Sequence, residues 1–282
     1  MGRRCGVLGD PIAHSLSPIL HRAGYAELGL DWDYDAHRVG SGGLPDFLDG
    51  LRHQPGNNWR GLSLTMPLKR EAVPLVDELS ERARWAGAVN TIVFDLDRLV
   101  GDPVLVGDNT DIPGAIAAIR ERTSAPLATA VIIGGGATAT SIGLALADLG
   151  VRHLEIVVRS TERAFATVEA VRAHPGRPEV SASRLDEVTS FEVDLVACTI
   201  PAHAQDARLV RACSEVPVLF EVLYHPWPTP LAASIGDRVL VGGLGLLVHQ
   251  AAVQFELFTG QPAPITVMRA AGQQALAERA SS

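Results

Sequence analysis

The stretch Val131-Ile-Ile-Gly-Gly-Gly-Ala-Thr-Ala139 predicts a buried strand that breaks into a glycine turn and then opens a helix. In such a turn Gly134 permits the tight reversal and Gly136 lets the backbone approach a pyrophosphate, while the helix N-terminus offers unpaired N–H groups to the anion. A tight strand-to-helix turn that binds nothing is the alternative interpretation. The candidate cofactor-binding residues of the turn are Gly134, Gly135, Gly136, Ala137, Thr138 and Ala139.

The residues after the turn complete a βαβ pattern and narrow the choice of cofactor. Residues 141–149 form an apolar helical stretch, and residues 154–158 form a second buried strand. An NAD-binding domain normally carries an acidic residue at the end of this strand, but here the chain continues Arg159-Ser160-Thr-Glu-Arg163. Because guanidinium groups bind a 2′-phosphate through charge-assisted hydrogen bonds, this segment favours NADP, with NAD as the alternative. Both arginines are otherwise ordinary solvated surface residues.

Length and composition exclude several classes of protein. A chain of 282 residues with 47% hydrophobic content can build two packed domains. A net charge of −8 without a basic cluster argues against nucleic-acid binding and favours a small-molecule partner. No apolar stretch predicts a membrane span or a signal-peptide core. The scattered Cys5, Cys198 and Cys213 predict buried thiols in a reducing cytoplasm, with neither disulfides nor a metal site, and the oligomeric state stays open between monomer and homodimer.

Strand and helix patterns alternate along the whole chain, which predicts an α/β fold with mainly parallel strands. The Rossmann-type half begins after Asp111, where the alternation becomes stricter. The residues expected in strands are 5–8, 34–39, 61–64, 88–94, 105–107, 128–133, 154–158, 218–222 and 239–241, with a further strand near 195.

The first half twice places hydroxyl groups where a strand gives way to a helix with proline in its first turn. Ser15 and Ser17 precede or flank Pro18, and Thr65 precedes Pro67. Hydroxyl side chains at such positions commonly cap the free amides of the helix, which is the alternative to ligand binding for each of them taken singly. Together, at the ends of neighbouring strands, they suit a pocket for a polyhydroxylated ligand.

Three further polar residues fall at strand or helix ends in this half. Lys69 is expected to begin a helix, where its charge would oppose the helix dipole, so the sequence suggests a functional role. Asn90 interrupts an apolar strand, and its amide needs a partner that either a ligand or a neighbouring backbone could supply. Asp111 precedes a helix, where an N-cap is the alternative to a catalytic role.

Several segments, taken in order, resemble the shikimate dehydrogenase family, and they span nearly the whole chain. They are VLGDPIAHSLSP at 7–18, LTMPLK at 64–69, GAVNT at 87–91, NTD at 109–111, the glycine turn, YHPWPTPL at 224–231 and GLGLLVHQ at 243–250. The resemblance implies a substrate domain at 1–111, an NADP-binding Rossmann domain at 112–242, and C-terminal helices at 243–282 that pack back on the substrate domain. It also implies a cytoplasmic oxidoreductase of aromatic amino acid and chorismate biosynthesis that reversibly reduces 3-dehydroshikimate to shikimate.

Residue roles follow from the same resemblance. Lys69 and Asp111 would form the catalytic pair, since an alkoxide formed by hydride transfer needs a proton that a lysine can supply. The implied substrate-binding residues are Ser15, Ser17, Thr65, Lys69, Asn90, Asp111, Tyr224 and Gln250. The implied cofactor-binding residues beyond the glycine turn are Arg159, Ser160, Arg163, Thr199 and Gly243.

The chain departs from the family pattern at a few positions. Ser63 stands where many members have Asn, which puts a substrate contact there in doubt, and Val158 stands where part of the 2′-phosphate clamp is usual. Residues around 101–105 look like an insertion. A quinate or aminoshikimate dehydrogenase using NAD or NADP is therefore an alternative activity, and a non-catalytic nucleotide-sensing homologue is a third interpretation.

Overall fold

The alternating patterns produce two six-stranded sheets in the computed structural model, which describes residues 2–52, 58–95 and 103–280. Each sheet belongs to its own unit. The first unit comprises the chain up to Thr110 together with the residues from Gln250, and the second comprises Asp111–His249. The expected α/β fold class is confirmed, whereas the expected insertion around 101–105 falls partly on residues 101 and 102, outside the described part of the chain.

The sheet of the first unit has the strand order β2-β1-β3-β5-β6-β4. Strand β1 runs parallel to β2 and β3, whereas β5 is antiparallel to β3 and β6. Fully buried side chains such as Leu8, Leu62 and Ile92 form its core. The strands are β1 (Arg3–Gly9), β2 (Trp32–Arg38), β3 (Trp59–Leu64), β4 (Glu78–Leu79), β5 (Thr91–Asp95) and β6 (Val104–Asp108).

Helices flank this sheet and include the C-terminal segment of the chain. Helix α3 begins where the Ser80 hydroxyl accepts a hydrogen bond from the Ala83 N–H, and it ends at Gly87 in a left-handed conformation with φ of 53°. Helix α1 packs against α10. The helices are α1 (Ser17–Glu27), α2 (Leu44–Arg52), α3 (Glu81–Ala86), α9 (Gly243–Thr259), whose first residues belong to the second unit, and α10 (Ile265–Ala280).

The sheet of the second unit is entirely parallel, with the order β12-β11-β10-β7-β8-β9. Its central strands are apolar runs buried on both faces, as expected for a parallel sheet covered by helices. The strands are β7 (Thr129–Ile133), β8 (His153–Val158), β9 (Glu179–Arg184), β10 (Leu195–Cys198), β11 (Val218–Glu221) and β12 (Val239–Gly242). The helices are α4 (Asp111–Arg122), α5 (Ala137–Asp148), α6 (Phe165–Arg172), α7 (Ala207–Ala212) and α8 (Pro230–Ala233).

Two local expectations were wrong. The strand expected at 88–94 begins only at Thr91, because the residues before it form a loop that packs on the ends of other strands. Lys69 does not begin a helix: residues 66–72 form successive turns, and the Lys69 carbonyl accepts a hydrogen bond from the distant Val89 N–H at 2.7 Å instead of from the next helical turn. The argument from the helix dipole therefore does not apply to Lys69.

The three cysteines are buried, as expected from their largely apolar surroundings in the sequence. Among the described residues, no helix has both the length and the apolar character needed to cross a bilayer.

Candidate active site

Four loops of the first unit meet at one edge of its sheet. The carboxyl ends of β1 and β3 lie side by side because these strands are parallel, and antiparallel β5 begins at the same edge where β6 ends. Backbone hydrogen bonds fix the loops, since the Thr65 N–H donates to the Leu8 carbonyl at 2.9 Å and the Leu64 N–H donates to the Asn90 carbonyl at 2.7 Å. The hydroxyl, amide and lysine candidates of this unit therefore lie in loops next to strand ends at the same edge of the sheet.

Ser15 and Ser17 lie just before and at the start of α1. The Ser17 backbone N–H donates to the Ser15 hydroxyl at 3.3 Å, so Ser15 provides a local cap of the kind considered from the sequence. Ser17 is buried and makes no side-chain cap on the helix, whose cap position is Leu16. Thr65 is half-buried and also starts no helix. Capping therefore accounts for Ser15 but not for Ser17 or Thr65.

Asn90 is 1% exposed and sits in a network of protein hydrogen bonds. Its Oδ1 accepts from the Thr110 backbone N–H at 2.7 Å and from the Thr91 hydroxyl at 2.8 Å. Its Nδ2 donates to the Thr110 hydroxyl at 2.9 Å and lies 3.4 Å from the Gln250 Oε1. Neighbouring protein groups thus satisfy much of the hydrogen-bonding capacity of this amide, and they fix its orientation beside Gln250.

Gln254 extends this network and was not anticipated from the sequence. It is 1% exposed and lies one helical turn after Gln250 on α9, a spacing that puts both amides on one helix face. The Gln254 Nε2 donates to the Thr91 hydroxyl at 3.0 Å, and its Oε1 accepts from the Ser63 hydroxyl at 2.8 Å. That spacing is the only sequence signal that could have identified it.

Ser63 is held from both sides within the protein. Besides donating to Gln254, its hydroxyl accepts a hydrogen bond from the Tyr34 hydroxyl at 2.6 Å. Burial raises the pKa of Tyr34 well above its ordinary value, which keeps the phenol protonated as a donor. Because Ser63 is itself buried, its hydroxyl serves this network inside the protein.

Lys69 and Asp111 fall in different units. Lys69 is half-buried, and its backbone lies next to Val89 through the carbonyl hydrogen bond described above. Asp111 is 5% exposed and is the first residue of α4 in the second unit.

Asp108, close to Asp111 in sequence, has a structural role. Its Oδ1 accepts hydrogen bonds from the Ser80 hydroxyl at 2.5 Å and from the Asn109 N–H at 2.7 Å, and Arg82 pairs with both carboxylate oxygens. Burial alone would raise the pKa of Asp108. The hydrogen bonds from Arg82 and Ser80, together with the positive charge of Arg82, outweigh burial and lower the pKa overall. This carboxylate ties α3 to the end of β6.

In the second unit the glycine turn follows β7 directly. Gly134 has φ of 121°, and a Cβ there would lie 2.1 Å from the Thr199 Oγ1. A Cβ on Gly135 would lie 2.7 Å from the Arg163 carbonyl oxygen. A Cβ on Gly136, by contrast, would meet no atom within 4 Å, and the N-terminus of α5 has no side-chain cap. The first two glycines are thus required by the fold, whereas open Gly136 and the uncapped amides fit a pyrophosphate.

The remaining cofactor candidates of the second unit also follow strand ends. Arg159 is exposed directly after β8, and the Ser160 hydroxyl donates to Glu162. The Thr199 hydroxyl donates to the Ile133 carbonyl at 2.9 Å, which places it against the glycine turn. Gly243 follows β12, where a Cβ would lie 2.3 Å from the Val222 carbonyl oxygen. Ala137, Thr138 and Ala139 form the first turn of α5.

A buried carboxylate anchors the loop that carries Tyr224. Glu221 is fully buried at the end of β11 and accepts hydrogen bonds from the Gln205 Nε2 and the Thr229 hydroxyl, both at 2.8 Å, and from the Leu223 N–H at 3.0 Å. Burial raises the pKa of Glu221, although these donors lower it in part. The half-buried Tyr224 therefore lies in a loop fixed at both ends, an anchor that the sequence did not reveal.

Comparisons with known proteins agree with this arrangement. A model of the shikimate dehydrogenase substrate binding domain matches residues 7–92, and a model of the shikimate 5′-dehydrogenase C-terminal domain matches residues 243–271. A shikimate dehydrogenase (NADP(+)) of Desulfitobacterium hafniense is 32% identical over 98% of this chain and 100% of its own length. The chain belongs to the shikimate dehydrogenase family. The resemblance found in the sequence is thereby confirmed, and the chain is an oxidoreductase of this family.

Solved structures of the shikimate dehydrogenase family share the fold. Shikimate dehydrogenase from Mycobacterium tuberculosis is 36% identical, with a TM-score of 0.83 over 96% of this chain and 99% of its own. Quinate dehydrogenase from Corynebacterium glutamicum, solved in complex with NAD, is 27% identical, with a TM-score of 0.85 over 97% of this chain and 99% of its own. The fold is thus common to relatives with different named substrates.

Proposed function

We propose that this chain catalyses the reversible, NADP-dependent reduction of 3-dehydroshikimate to shikimate. Support comes from a full-length relative named shikimate dehydrogenase (NADP(+)) and, in the structure, from the glycine turn. The observation that carries the proposal is open Gly136 at the uncapped start of α5, since a dinucleotide pyrophosphate would use both the space and the amides.

The first unit would bind the substrate. Ser15 and Ser17 would hold the carboxylate, and the Asn90 and Gln250 amides would bind ring hydroxyls, with Thr65 beside them. The network through Thr110 and Gln254 supports this assignment, because amides already fixed by neighbours lose little conformational entropy when a ligand binds. Tyr224 would complete the contacts to the substrate.

Lys69 would move the proton. A nicotinamide cofactor, when bound, would supply the hydride for reduction and accept it in the reverse direction. Lys69 donates a proton to the carbonyl oxygen as negative charge develops there, and it withdraws that proton in the oxidation. Asp111 would act with Lys69 as the other half of the catalytic pair.

The cofactor would lie along the carboxyl ends of the parallel strands. The residues from Gly134 to Ala139 would cradle the pyrophosphate, Arg159, Ser160 and Arg163 would face the 2′-phosphate, and Thr199 and Gly243 would line the nicotinamide end. NAD is the alternative cofactor, because Val158 stands where a further clamp residue is usual. Three further properties stay predictions: a cytoplasmic location, the absence of nucleic-acid partners, and an oligomeric state that is either monomer or homodimer.

A quinate dehydrogenase is the second candidate function. It is favoured by the likeness to the NAD-bound quinate dehydrogenase of Corynebacterium glutamicum. Quinate differs from shikimate in part by a hydroxyl at C1, and a pocket that accommodates one added hydroxyl discriminates weakly against it.

Initial rates measured with shikimate and with quinate, each with NADP and with NAD, test the proposal. We expect the largest kcat/KM for shikimate with NADP. A dominant quinate rate would support the second candidate, and absence of turnover in all four combinations would favour a non-catalytic nucleotide-sensing homologue.

A further inference from the structure

The positive and negative charges at the ends of β8 and β9 balance, where the proposed function places the 2′-phosphate. Parallel pairing places Val158 opposite Arg184, so the segments after these two strands start side by side. Residues 159–163 after β8 and residues 184–187 at and after the end of β9 carry three arginines and three carboxylates. The arginines are Arg159, Arg163 and Arg184, and the carboxylates are those of Glu162, Asp186 and Glu187. The arginines are therefore matched one for one by carboxylates.

Two hydrogen-bonded pairs already engage some of these charged residues. The Arg184 Nε and Nη2 donate to the two carboxylate oxygens of Asp186 at 2.9 and 2.6 Å. The Ser160 hydroxyl donates to the Glu162 carboxylate. Within the described part of the chain, Arg159 and Arg163 are left as the arginines of this set without a carboxylate partner.

We propose that Glu162 sets the discrimination between NADP and NAD in this chain, by holding the Ser160 hydroxyl and by repelling the 2′-phosphate. The inference rests on the proposed function and names the residue that tunes it. NAD carries a neutral hydroxyl where NADP carries a phosphate of about −1.5 to −2 charge, so a carboxylate there weakens NADP and spares NAD.

The protonation state of Glu162 agrees with this role. The Ser160 hydrogen bond, with a backbone hydrogen bond and the nearby Arg184 charge, lowers the pKa of Glu162 below its ordinary value despite a small opposing effect of burial. The carboxylate is therefore ionised at neutral pH, where it opposes the phosphate charge.

Equilibrium binding of 2′,5′-ADP and of 5′-ADP, measured by titration calorimetry on the full chain, isolates the 2′-phosphate without turnover. Glu162→Gln removes the charge, and Glu162→Ala removes both the charge and the acceptor of Ser160. We expect Glu162→Ala to tighten 2′,5′-ADP by roughly three- to tenfold and to leave 5′-ADP within about twofold. The gain should shrink in 1 M salt because the charges are exposed, as the roughly 3 Å Debye length at that ionic strength implies.

Two further variants separate the mechanisms. Adding Ser160→Ala to Glu162→Ala should cancel part of the gain seen in Glu162→Ala, because the hydroxyl released from Glu162 is then lost. Glu169→Gln, which removes an exposed carboxylate on α6, is the matched control and should leave the ligand ratio unchanged.

The outcomes distinguish this inference from the proposed function. If the ratio of the two dissociation constants is unchanged in both Glu162 variants, as it would be after an equal gain for both ligands, the role of Glu162 is refuted and the proposed function is not. Failure of wild-type protein to bind either ligand would refute the proposed cofactor as well. The same variants assayed with NADP and NAD should shift the ratio of their KM values in the direction of the binding data.

Discussion

Replacing Gly136 by alanine should separate the stability of the second unit from its capacity to bind a dinucleotide. The backbone at Gly136 has φ of −86° and ψ of −176°, a conformation open to any residue, and an added Cβ meets no atom within 4 Å. Loss of glycine at the helix cap and reduced entropy of the unfolded chain are opposing effects of about 0.5–1 kcal/mol each. We therefore expect the melting temperature to stay within about 3 °C of wild type.

Binding should respond very differently. A methyl group at this position would hold the pyrophosphate away from the amides of α5, and about two hydrogen bonds to a charged ligand at roughly 1.5 kcal/mol each would be lost. That loss corresponds to a roughly 100-fold weaker dissociation constant for NADPH, measurable by quenching of tryptophan fluorescence.

Gly135→Ala is the matched control. Its Cβ would lie 2.7 Å from the Arg163 carbonyl oxygen and 3.2 Å from the Ala164 Cα, and backbone atoms cannot move aside as a flexible side chain can. We expect it to destabilise the chain by about 1–3 kcal/mol. A Gly136→Ala protein that binds NADPH as tightly as wild type would refute the assignment of the turn, and so would one that unfolds as readily as Gly135→Ala.

Three further predictions follow from the first unit. Lys69→Met should lower kcat by about 10²–10⁴-fold in steady-state assays while KM for shikimate changes only a few-fold, because proton transfer is lost and most binding contacts stay. Gln254→Leu should lower the free energy of unfolding in urea by about 2–4 kcal/mol, because it leaves the buried Ser63 and Thr91 hydroxyls without their amide partner. The pKa of Asp108 is lowered in the folded protein, so its contribution to stability is complete above about pH 4 and is lost as the pH falls through that lowered pKa. Asp108→Asn should therefore lose less stability on acidification than wild type does, as measured by urea titrations between pH 5 and 3.

Each of these variants has a matched control at an exposed residue of the first unit. Arg70→Met removes an adjacent exposed cation and should keep kcat, so a similar loss in both variants would remove Lys69 from the mechanism. Gln273→Leu changes an exposed amide on α10 and should leave stability unchanged, so equal effects would contradict the Gln254 network. Asp46→Asn alters an exposed carboxylate on α2; an acid profile identical in Asp108→Asn and in wild type would exclude the proposed linkage.

The second unit was largely predictable because its signals are local. The apolar run of β7, the glycines after it and the small residues of α5 are contiguous, so one window of sequence specifies the strand, the turn and the helix. Strand β9 was missed because Glu-Val-Ser-Ala-Ser-Arg at 179–184 alternates but contains Val180 as its only large apolar residue. It pairs only with β8 at the sheet edge, where a strand needs less apolar surface.

The first unit was less predictable because its decisive contacts are distant in sequence. The carbonyl of Lys69 bonds to Val89, which no pattern around Lys69 could indicate. The side chain of Gln254 reaches Ser63 and Thr91 across most of the chain, and only its spacing from Gln250 hinted at a polar helix face. The motifs identified the candidate residues, but their partners depended on tertiary pairing.

The packing of α1 against α10 also affects how the chain is made. These helices belong to one unit but are separated by the whole second unit, so α1 lacks its partner until residues 265–280 have been synthesised. At translation rates of about 5–20 residues per second, α1 waits roughly 10–50 s on the ribosome, while the second unit, contiguous in sequence, can fold earlier. The Gly24 side of α1, which contacts Phe255 and Met268 in the finished protein, is the surface that a chaperone would cover during that interval.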